Sequence, residues 1–335
     1  MTYKRCSPRR SALITKYLLI VVVLLLMLGV MIGWYLNARL ETMPSPAHQK
    51  TFVSPSQSTL YPGLQVTPSE TNAALAYHPP DLSALQALAL DLINQNRSAA
   101  ELAPVVWDAA AARIAQAHAE DMLAGPYFSH WNRQGYGPEH RAALLAGFTD
   151  VVFENIHAYS YSYDDGRPAA ILDWRQRVLD AQSGLMDSPG HRANILDPAH
   201  THVGVGIAYR ADIGEMRLVQ LFLNRYVQLD ALPAELPSDF TVRGQLLNNA
   251  TDPLINLAYE PFPRPLSLEQ LAQTSSYQSA VEFFSAPLST VEGARFSARL
   301  LLDPKRAAGL YHIRVFVVTA NGDTIPAAEA ILTAP

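Results

Sequence analysis

Histidine is concentrated in one part of the sequence, and this is its clearest chemical signal. Seven of the ten histidines fall between residues 118 and 202. They are His118, His130, His140, His157, His191, His200 and His202. Because histidine titrates near neutral pH and is the commonest metal ligand, the concentration indicates acid–base chemistry or a metal site. His118 is an exception, since it shares a helical face with Ile114 and Met122 and is predicted to be a core histidine.

Several short motifs around these histidines resemble one known family. They read NR at 96–97, LAPVVWD at 102–108, YFSH at 127–130, ENI at 154–156, SPGHRANIL at 188–196 and VGVG at 203–206. In this order they look like the bacterial branch of the CAP superfamily, also called the SCP or PR-1-like domain, over about residues 81–229. The resemblance implies an α-β-α sandwich with a surface cleft lined by two histidines and two acidic residues.

The motif match assigns three of those four cleft residues, namely His130, His191 and Glu154. In many members the second acid lies a few residues after a tryptophan, but here Trp174 is followed by Arg-Gln-Arg. This departure leaves the fourth position open. The candidates for it are Asp173, Asp180, Asp187 and Glu139.

Three functions fit the assigned residues. Two imidazoles and a carboxylate can supply three ligands to Zn²⁺ or another divalent ion. Alternatively, a histidine oriented by Glu154 could act as the general base of a hydrolase, towards Ser129, Ser188 or water. The sequence has no Gly-x-Ser-x-Gly elbow and no catalytic cysteine to support that alternative. The preferred interpretation is a binding module whose cleft holds a lipid, glycan, peptide or protein ligand without turnover.

Other side chains are predicted to support or extend the cleft. Arg141 and Asn155 are expected to hold its loops by hydrogen bonds, and Asn194 to brace the turn after His191. A run of alternating tyrosines at 159, 161 and 163 offers aromatic surface that suits sugars or protein partners. This run is interpreted as a loop beside the cleft, with an exposed edge strand as the alternative.

The predicted elements favour an α+β layer architecture. Helical spacing begins after Asp81 or Ser83 and fades at 94–97, and a second helix begins at Asp108. Further helical segments are predicted at 141–145, ended by Gly147, and from 168 to about 179. Strands are predicted at 202–209 and 217–224. Because the helices come first and the strand pair last, an antiparallel arrangement is favoured over a βαβ series.

The amino-terminal part predicts a membrane anchor. Residues 1–16 form a basic leader with five basic residues and no acid, and residues 17–36 form an apolar helix long enough to span a bilayer. The leader charges predict a cytoplasmic amino terminus and an outward-facing remainder. A cleaved signal peptide is the alternative, although 37–39 is a poor cleavage site. Residues 37–80, rich in Pro, Ser and Thr, are predicted to be an extended stalk or an unstructured linker.

Charge and cysteine usage narrow the protein class. The net charge is −5, and because the leader carries +5 the remainder carries −10, which argues against nucleic-acid binding. The single cysteine, Cys6, lies in the leader, so the outward part can form neither an internal disulfide nor a cysteine-based zinc site.

The carboxy-terminal part, residues 238–335, predicts a second domain after a boundary at 233–237. Strands are predicted at 240–247, 294–302, 311–320 and 324–332, with Asn321-Gly322 as a tight hairpin turn. The natural interpretation is a β-sandwich of immunoglobulin type. We expect an accessory or ligand-presenting domain, with a simple spacer as the alternative.

Overall fold

The computed structural model describes residues 80–160, 162, 173–210, 213–233, 235–274, 282–285, 290–303 and 305–334. The chain divides into two compact units, 1–72 and 73–335, and all described residues belong to the second. The predicted leader, membrane helix and most of the stalk lie outside the described residues. Within the described part, no helix has the length and apolarity needed to cross a membrane.

The first two helices begin where the sequence predicts, because an aspartate caps each of them. Helix α1 (Leu82–Ala99) follows Asp81, whose carboxylate accepts hydrogen bonds from two backbone N–H groups of the first turn. Helix α2 (Ala109–Ala124) follows Asp108, which caps it in the same way. Helix α1 continues beyond the predicted end because buried Arg97 donates to four backbone carbonyls of later segments. Tertiary hydrogen bonds thus keep this polar stretch helical.

A four-stranded sheet forms the middle layer of the first domain. Its strands are β1 (Val106–Trp107), β2 (Val151–Ser160), β3 (His202–Arg210) and β4 (Glu215–Asn224), in the order β1-β3-β4-β2. Strand β4 pairs antiparallel with both β2 and β3, while β1 pairs parallel with β3. The predicted antiparallel strand pair is therefore confirmed.

Strand β2 corrects the loop prediction for the tyrosine run. Tyr159 and Ser160 belong to β2, which lies at the edge of the sheet, as the edge-strand alternative expected. Tyr161 and Tyr163 lie outside the described residues. The sequence hid this strand because Glu154, Asn155 and His157 interrupt its apolar residues, yet helices cover both faces there.

Helices pack on both faces of the sheet and give an α-β-α sandwich. Strand β4 sends Leu218 and Phe222 into one apolar core and Val219, Leu221 and Leu223 into the other. The first core is completed by α1 and by α4 (Trp174–Asp187). The second core is completed by α2. The mixed helix and strand content predicted for this part of the chain is confirmed.

The remaining helical segments of this domain differ in detail from the prediction. Helix α3 (Pro138–His140) continues into a π-helical turn, Arg141–Leu145, where a helical segment was predicted. Helix α4 begins at Trp174, capped by Asp173, rather than at 168, and residues 163–172 lie outside the described part. Helix α5 (Pro189–Ile195), which carries His191, was not predicted, because its Pro-Gly start resembles a turn.

Two four-stranded sheets make up the second domain. One has the order β5-β6-β10-β9 and the other the order β12-β11-β7-β8. In chain order the strands are β5 (Val227–Leu229), β6 (Asp239–Leu246), β7 (Thr251–Glu260), β8 (Glu282–Ser285), β9 (Thr290–Glu292), β10 (Arg295–Leu301), β11 (Gly309–Val318) and β12 (Thr324–Ala334). Both sheets contribute to one apolar core, as in a sandwich. Strand β5 joins this sheet, so the sandwich begins earlier than the predicted boundary.

The connection between β7 and β8 packs on the first domain. It contains helix α6 (Leu268–Gln273), whose Leu271 is fully buried in the core that α2 completes. Just before it, Leu266 N–H donates to the carbonyl of Arg133 at 3.0 Å. Strand β12 makes a further junction, since Glu329 N–H donates to Thr149 O at 2.9 Å. The two domains therefore share a core and backbone hydrogen bonds.

Glycines of β3 allow α2 to lie directly on the sheet, and this contact can be tested. A Cβ atom at Gly206 would lie 2.2 Å from backbone atoms of Ala115 and Gln116. We therefore expect Gly206→Ala to lower the free energy of unfolding by about 1–3 kcal/mol or more, because α2 must move off the sheet. Urea denaturation followed by circular dichroism measures this change.

The matched control is Gly190→Ala on helix α5, where a Cβ atom would meet nothing within 4 Å. We expect that variant to be as stable as the wild type or slightly more so, because alanine favours a helix over glycine. Equal stabilities for the two variants would contradict the close approach of α2 to β3.

Candidate functional site

The loop between α2 and α3 carries His130, and Arg141 holds this loop in place. Arg141 Nη1 donates to the carbonyl of His130 at 2.6 Å and to that of Tyr136 at 3.1 Å. Arg141 lies in the π-helical turn and is buried. The hydrogen bonds expected of Arg141 are thus made to the backbone of the histidine loop itself.

Glu154 joins this histidine to the arginine. His130 Nδ1 donates to Glu154 Oε1 at 2.9 Å, and Arg141 Nη2 donates to Glu154 Oε2. Each carboxylate oxygen therefore has a donor, and the Glu154 side chain is only 1% exposed. In this arrangement Glu154 orients the His130 ring and fixes its tautomer, with the ring proton on Nδ1.

The charge of Glu154 is stabilised by its neighbours. Burial by itself would raise the pKa of Glu154, but the charge of Arg141 and the hydrogen bond from His130 outweigh burial and hold the pKa at about 2. Glu154 is therefore an ionised carboxylate at neutral pH. A buried carboxylate of this kind is stable only while its cationic partner remains in place.

His118 lies behind this pair and is the core histidine that the sequence predicts. It is 1% exposed, and Nε2 donates to the carbonyl of Ser129 at 3.0 Å. Burial, with the nearby charge of Arg141, lowers its pKa to about 3, so it is neutral. Its Nε2 atom also lies 3.9 Å from Glu154 Oε1. His118 thus belongs to the wall of the site as well as to the core.

His191 reaches the same region from helix α5. It is half-buried, and the neighbouring His130 contributes to the lowering of its pKa after burial. Asn155 Nδ2 donates to the carbonyl of His191 at 3.1 Å, and Asn194 Nδ2 donates to Asn155 Oδ1 at 2.9 Å. The fold therefore brings the three motif-assigned residues to one region, with Asn155 and Asn194 supporting the turn that carries His191.

A chain of side-chain amides continues from Asn155 into the domain, and the sequence gave no signal of it. Asn155 Nδ2 also donates to Gln220 Oε1 at 3.2 Å, and Gln220 Nε2 donates to Gln182 Oε1 at 2.7 Å. Gln182 Nε2 in turn donates to Asn96 Oδ1 at 2.7 Å. These residues come from four separate elements, so only their meeting in the fold reveals the network.

The four candidates for the second acid occupy other positions. Asp173 caps α4, and Asp180 pairs with Arg177 Nη1 at 2.9 Å on the same helix. Asp187 is the last residue of α4. Glu139 is buried at the junction with the second domain, 3.9 Å from His140 Nδ1. The printed contacts of these acids do not involve His130 or His191.

A cavity of about 550 Å³ adjoins this group of residues. His118 and Arg141 form part of its lining, and helix α2 and the segment 145–148 supply most of the rest. Its apolar wall residues are Ala110, Ile114, Ala117, Leu145, Ala146 and Phe148. His130, Glu154 and His191 do not line it, so the cavity lies on the far side of the Arg141–Glu154 pair from the histidine cleft.

Comparison with known proteins agrees with this arrangement of motifs and layers. Residues 90–222 match the family model described as CAP, the cysteine-rich secretory protein family. These residues form a CAP domain. The match spans α1 to β4, and therefore includes all the motif-assigned residues of the cleft.

Two relatives from Bacillus subtilis share the CAP region. A protein named "Uncharacterized membrane protein YlbC" is 38% identical over 120 residues, which is 35% of this chain and 30% of that protein. A protein named "Uncharacterized protein YkwD" is 24% identical over 174 residues, covering 52% of this chain and 62% of that protein. The chain thus spans about a third and about three fifths of the length of these two relatives.

Solved structures with partial similarity also come from bacteria. An extracellular protein containing an SCP domain from Bacillus anthracis is 26% identical, with a TM-score of 0.35 over 43% of this chain and 41% of that one. An outer surface protein of Borrelia burgdorferi is 16% identical, with a TM-score of 0.36 over 44% of this chain and 98% of that one.

The buried ion pair of the CAP domain gives a direct stability test. We expect Glu154→Gln to lower the free energy of unfolding by about 3–5 kcal/mol, because Arg141 would keep a buried and unpaired charge. The control is Asp239→Asn, which removes the carboxylate from an exposed pair with Arg299 and is expected to cause no measurable change. Chemical denaturation at pH 7 compares the two. A small effect of Glu154→Gln would mean that the pair is solvated.

His157 of the CAP domain predicts a pH dependence of stability. Burial, with a smaller contribution from His191, lowers its pKa from 6.5 to about 4. The unfolded chain therefore binds a proton that the folded chain excludes, so this contribution to stability is complete above pH 6.5 and is lost as the pH falls towards 4.

We expect His157→Gln to reduce the loss of stability between pH 6.5 and 4 by up to about 1.4 kcal/mol per pH unit. Denaturation curves recorded at half-unit pH intervals for wild type and variant measure that difference. Parallel pH profiles would contradict a neutral, buried His157.

Proposed function

We propose that this protein is a membrane-anchored, outward-facing binding protein whose CAP domain takes up a small amphipathic ligand. The observation that supports this proposal most is the cavity of about 550 Å³ beside the Arg141–Glu154 pair. A cavity of this volume is in the range that holds a small organic molecule. The ligand class that we infer is a lipid or a similar molecule with an apolar body and a polar head.

The lining of the cavity matches an amphipathic ligand. Ala110, Ala117 and Leu145 offer apolar surface, and Leu145 is 65% exposed although it is a large aliphatic side chain. Exposed apolar side chains that gather around a cavity are typical of a ligand site. Arg113 and Arg141 add positive charge to the same lining. The polar head would therefore be neutral or anionic.

The alternative of hydrolysis has weaker support from the contacts of its candidate nucleophile. The Ser129 hydroxyl accepts a hydrogen bond from Trp131 N–H at 3.1 Å and donates towards the carbonyl of Thr274 at 3.4 Å. A nucleophilic serine needs a hydrogen bond to its base instead. Binding without turnover is therefore the function that we favour.

A metal in the histidine cleft stays a prediction, and the contacts of Glu154 restrict how it would bind. Both oxygens of Glu154 already accept hydrogen bonds. His130 and His191 would therefore hold a Zn²⁺ ion, while Glu154 would orient the His130 ring from behind.

The proposed location follows from the sequence of the amino-terminal part. A basic leader before an apolar stretch of membrane-spanning length orients the chain with its amino terminus inside. The name of the relative YlbC, a membrane protein, agrees with an anchored protein. The CAP domain and the sandwich would then face outward, where the unidentified ligand is encountered.

The proposed cavity can be tested with the unit 73–335, which is compact by itself and contains all three apolar cores. Titration with a fluorescent fatty acid should give saturable binding. Because Ala117 is exposed on helix α2 and lines the cavity, Ala117→Trp should fill the space and weaken binding by at least about tenfold, or 1.4 kcal/mol.

The control is Ala124→Trp, at an exposed alanine at the end of the same helix and away from the cavity lining. That variant should bind the probe as the wild type does. Absence of binding by the wild type, or equal weakening in both variants, would contradict the proposed site.

A further inference from the structure

A second group of histidine and glutamate side chains lies where the sandwich meets the CAP domain. His140 follows the histidine loop in the CAP domain, whereas Glu260 ends β7 and His312 lies in β11 of the sandwich. One ligand atom from each residue lies within 4.8 Å of the other two. Among the described residues, only this group of three or more histidine, cysteine or acidic side chains meets that distance.

The geometry of the group differs from that of ordinary hydrogen bonding. His312 Nε2 lies 3.2 Å from Glu260 Oε1, yet it has no hydrogen-bond partner of acceptable angle among the described residues. Two ligands of a tetrahedral Zn²⁺ ion lie about 3.3 Å apart, given metal–ligand distances of about 2.0–2.1 Å. The separation of these two atoms therefore fits a shared metal ion.

A carboxylate already orients His312 for this role. His312 Nδ1 donates to Glu329 Oε1 at 2.8 Å, and Arg314 Nε donates to the same oxygen at 2.8 Å. The other ring nitrogen then faces Glu260. Metal-binding histidines characteristically donate their second N–H to a carboxylate in this way. The support comes from β11 and β12, which are paired over their whole length.

The burial of the group leaves it with excess negative charge. The His140 and His312 side chains are 1% and 0% exposed, while Glu260 is 22% exposed. Glu139 is buried beside them, and neither of its oxygens has a hydrogen-bond partner in the described part of the chain. A bound cation would compensate these carboxylates, and the partial exposure of Glu260 gives it a route of entry.

Binding requires one local change at His140. Gly137 N–H donates to His140 Nδ1 at 3.1 Å, so Nε2 carries the ring proton and donates to Glu260. For Nε2 to bind a metal, that proton moves to Nδ1 and the hydrogen bond from Gly137 breaks. The adjustment is confined to the start of α3, where Gly137 precedes the first helical residue.

We propose that His140, His312 and Glu260 bind a divalent transition-metal ion, with Zn²⁺ as the best match, and that water completes its coordination. Two imidazole nitrogens and one carboxylate oxygen favour zinc over magnesium or calcium. Because His140 comes from the CAP domain and the other ligands come from the sandwich, the metal would join the two domains. It would also fix the residue next to Arg141, which holds the histidine loop.

The test uses the full-length protein in detergent, treated with chelator and then freed of it. Titration with Zn²⁺ by calorimetry should give binding that Glu260→Gln and His140→Gln each weaken by at least about 100-fold, more than the 10–100-fold typical of losing an indirect support. Co²⁺ should give the visible absorption of a tetrahedral site in the wild type and not in these variants. Zn²⁺ should also raise the melting temperature of the wild type alone.

The matched control is His191→Ala, which alters the histidine cleft and leaves the domain junction intact. That variant should keep the Co²⁺ spectrum and the Zn²⁺ affinity of the junction site. The proposal is overturned if the wild type binds no Zn²⁺, if Glu260→Gln and His140→Gln bind as the wild type does, or if His191→Ala alone abolishes binding. Far-ultraviolet circular dichroism of each variant establishes that the fold is retained.

Discussion

The site of the CAP domain depends on one buried ion pair, between Arg141 and Glu154. Burying these two charges is unfavourable unless each is fully hydrogen-bonded, and here the arginine also binds two backbone carbonyls while the carboxylate also binds His130. The pair therefore fixes the histidine loop, the edge strand β2 and the π-helical turn relative to one another. Removing any one partner would leave a buried charge, so these elements are placed together or not at all.

Close packing of α2 on the sheet is the second constraint, and it brings His118 to the site. The alternation of Val203, Val205 and Ile207 with glycines puts large side chains on one face of β3 and leaves the other face bare. Helix α2 can then approach until its backbone lies against the strand. His118 is buried on the same helix as a result, where it contributes a neutral ring beside Glu154. A feature of strand packing thus determines the polarity of the site.

Local signals in the sequence predicted the helix starts, the β3–β4 pair and the Asn321-Gly322 hairpin. Each depends on residues that are close in the chain, such as Asp81 or Asp108 at a helix start. The order of the motifs likewise identified His130, Glu154 and His191 as neighbours. Spacing could not reveal that both oxygens of Glu154 accept hydrogen bonds, because one donor, Arg141, is 13 residues away in a separate element.

Elements that were not predicted are those whose polar residues are satisfied by distant partners. Strand β2 and helix α5 lack a clear apolar period, yet Asn155 and Asn194 bond to each other across 39 residues. The junction between the domains is a stronger case, since His140 and Glu260 are 120 residues apart. Sequence patterns carry information on periodicity and capping, and they carry none on which buried polar groups will meet.

The junction also bears on whether the sandwich is a spacer. A spacer needs few contacts with its neighbour, whereas Leu271 of the sandwich is fully buried in the core that α2 completes. The Ser129 hydroxyl, next to His130, donates towards Thr274 of the same connection. Because an apolar core unfolds cooperatively, loss of the sandwich would expose part of the CAP core and release the histidine loop from one side. The second domain is therefore a structural component of the site, and an accessory role describes it better than a spacer.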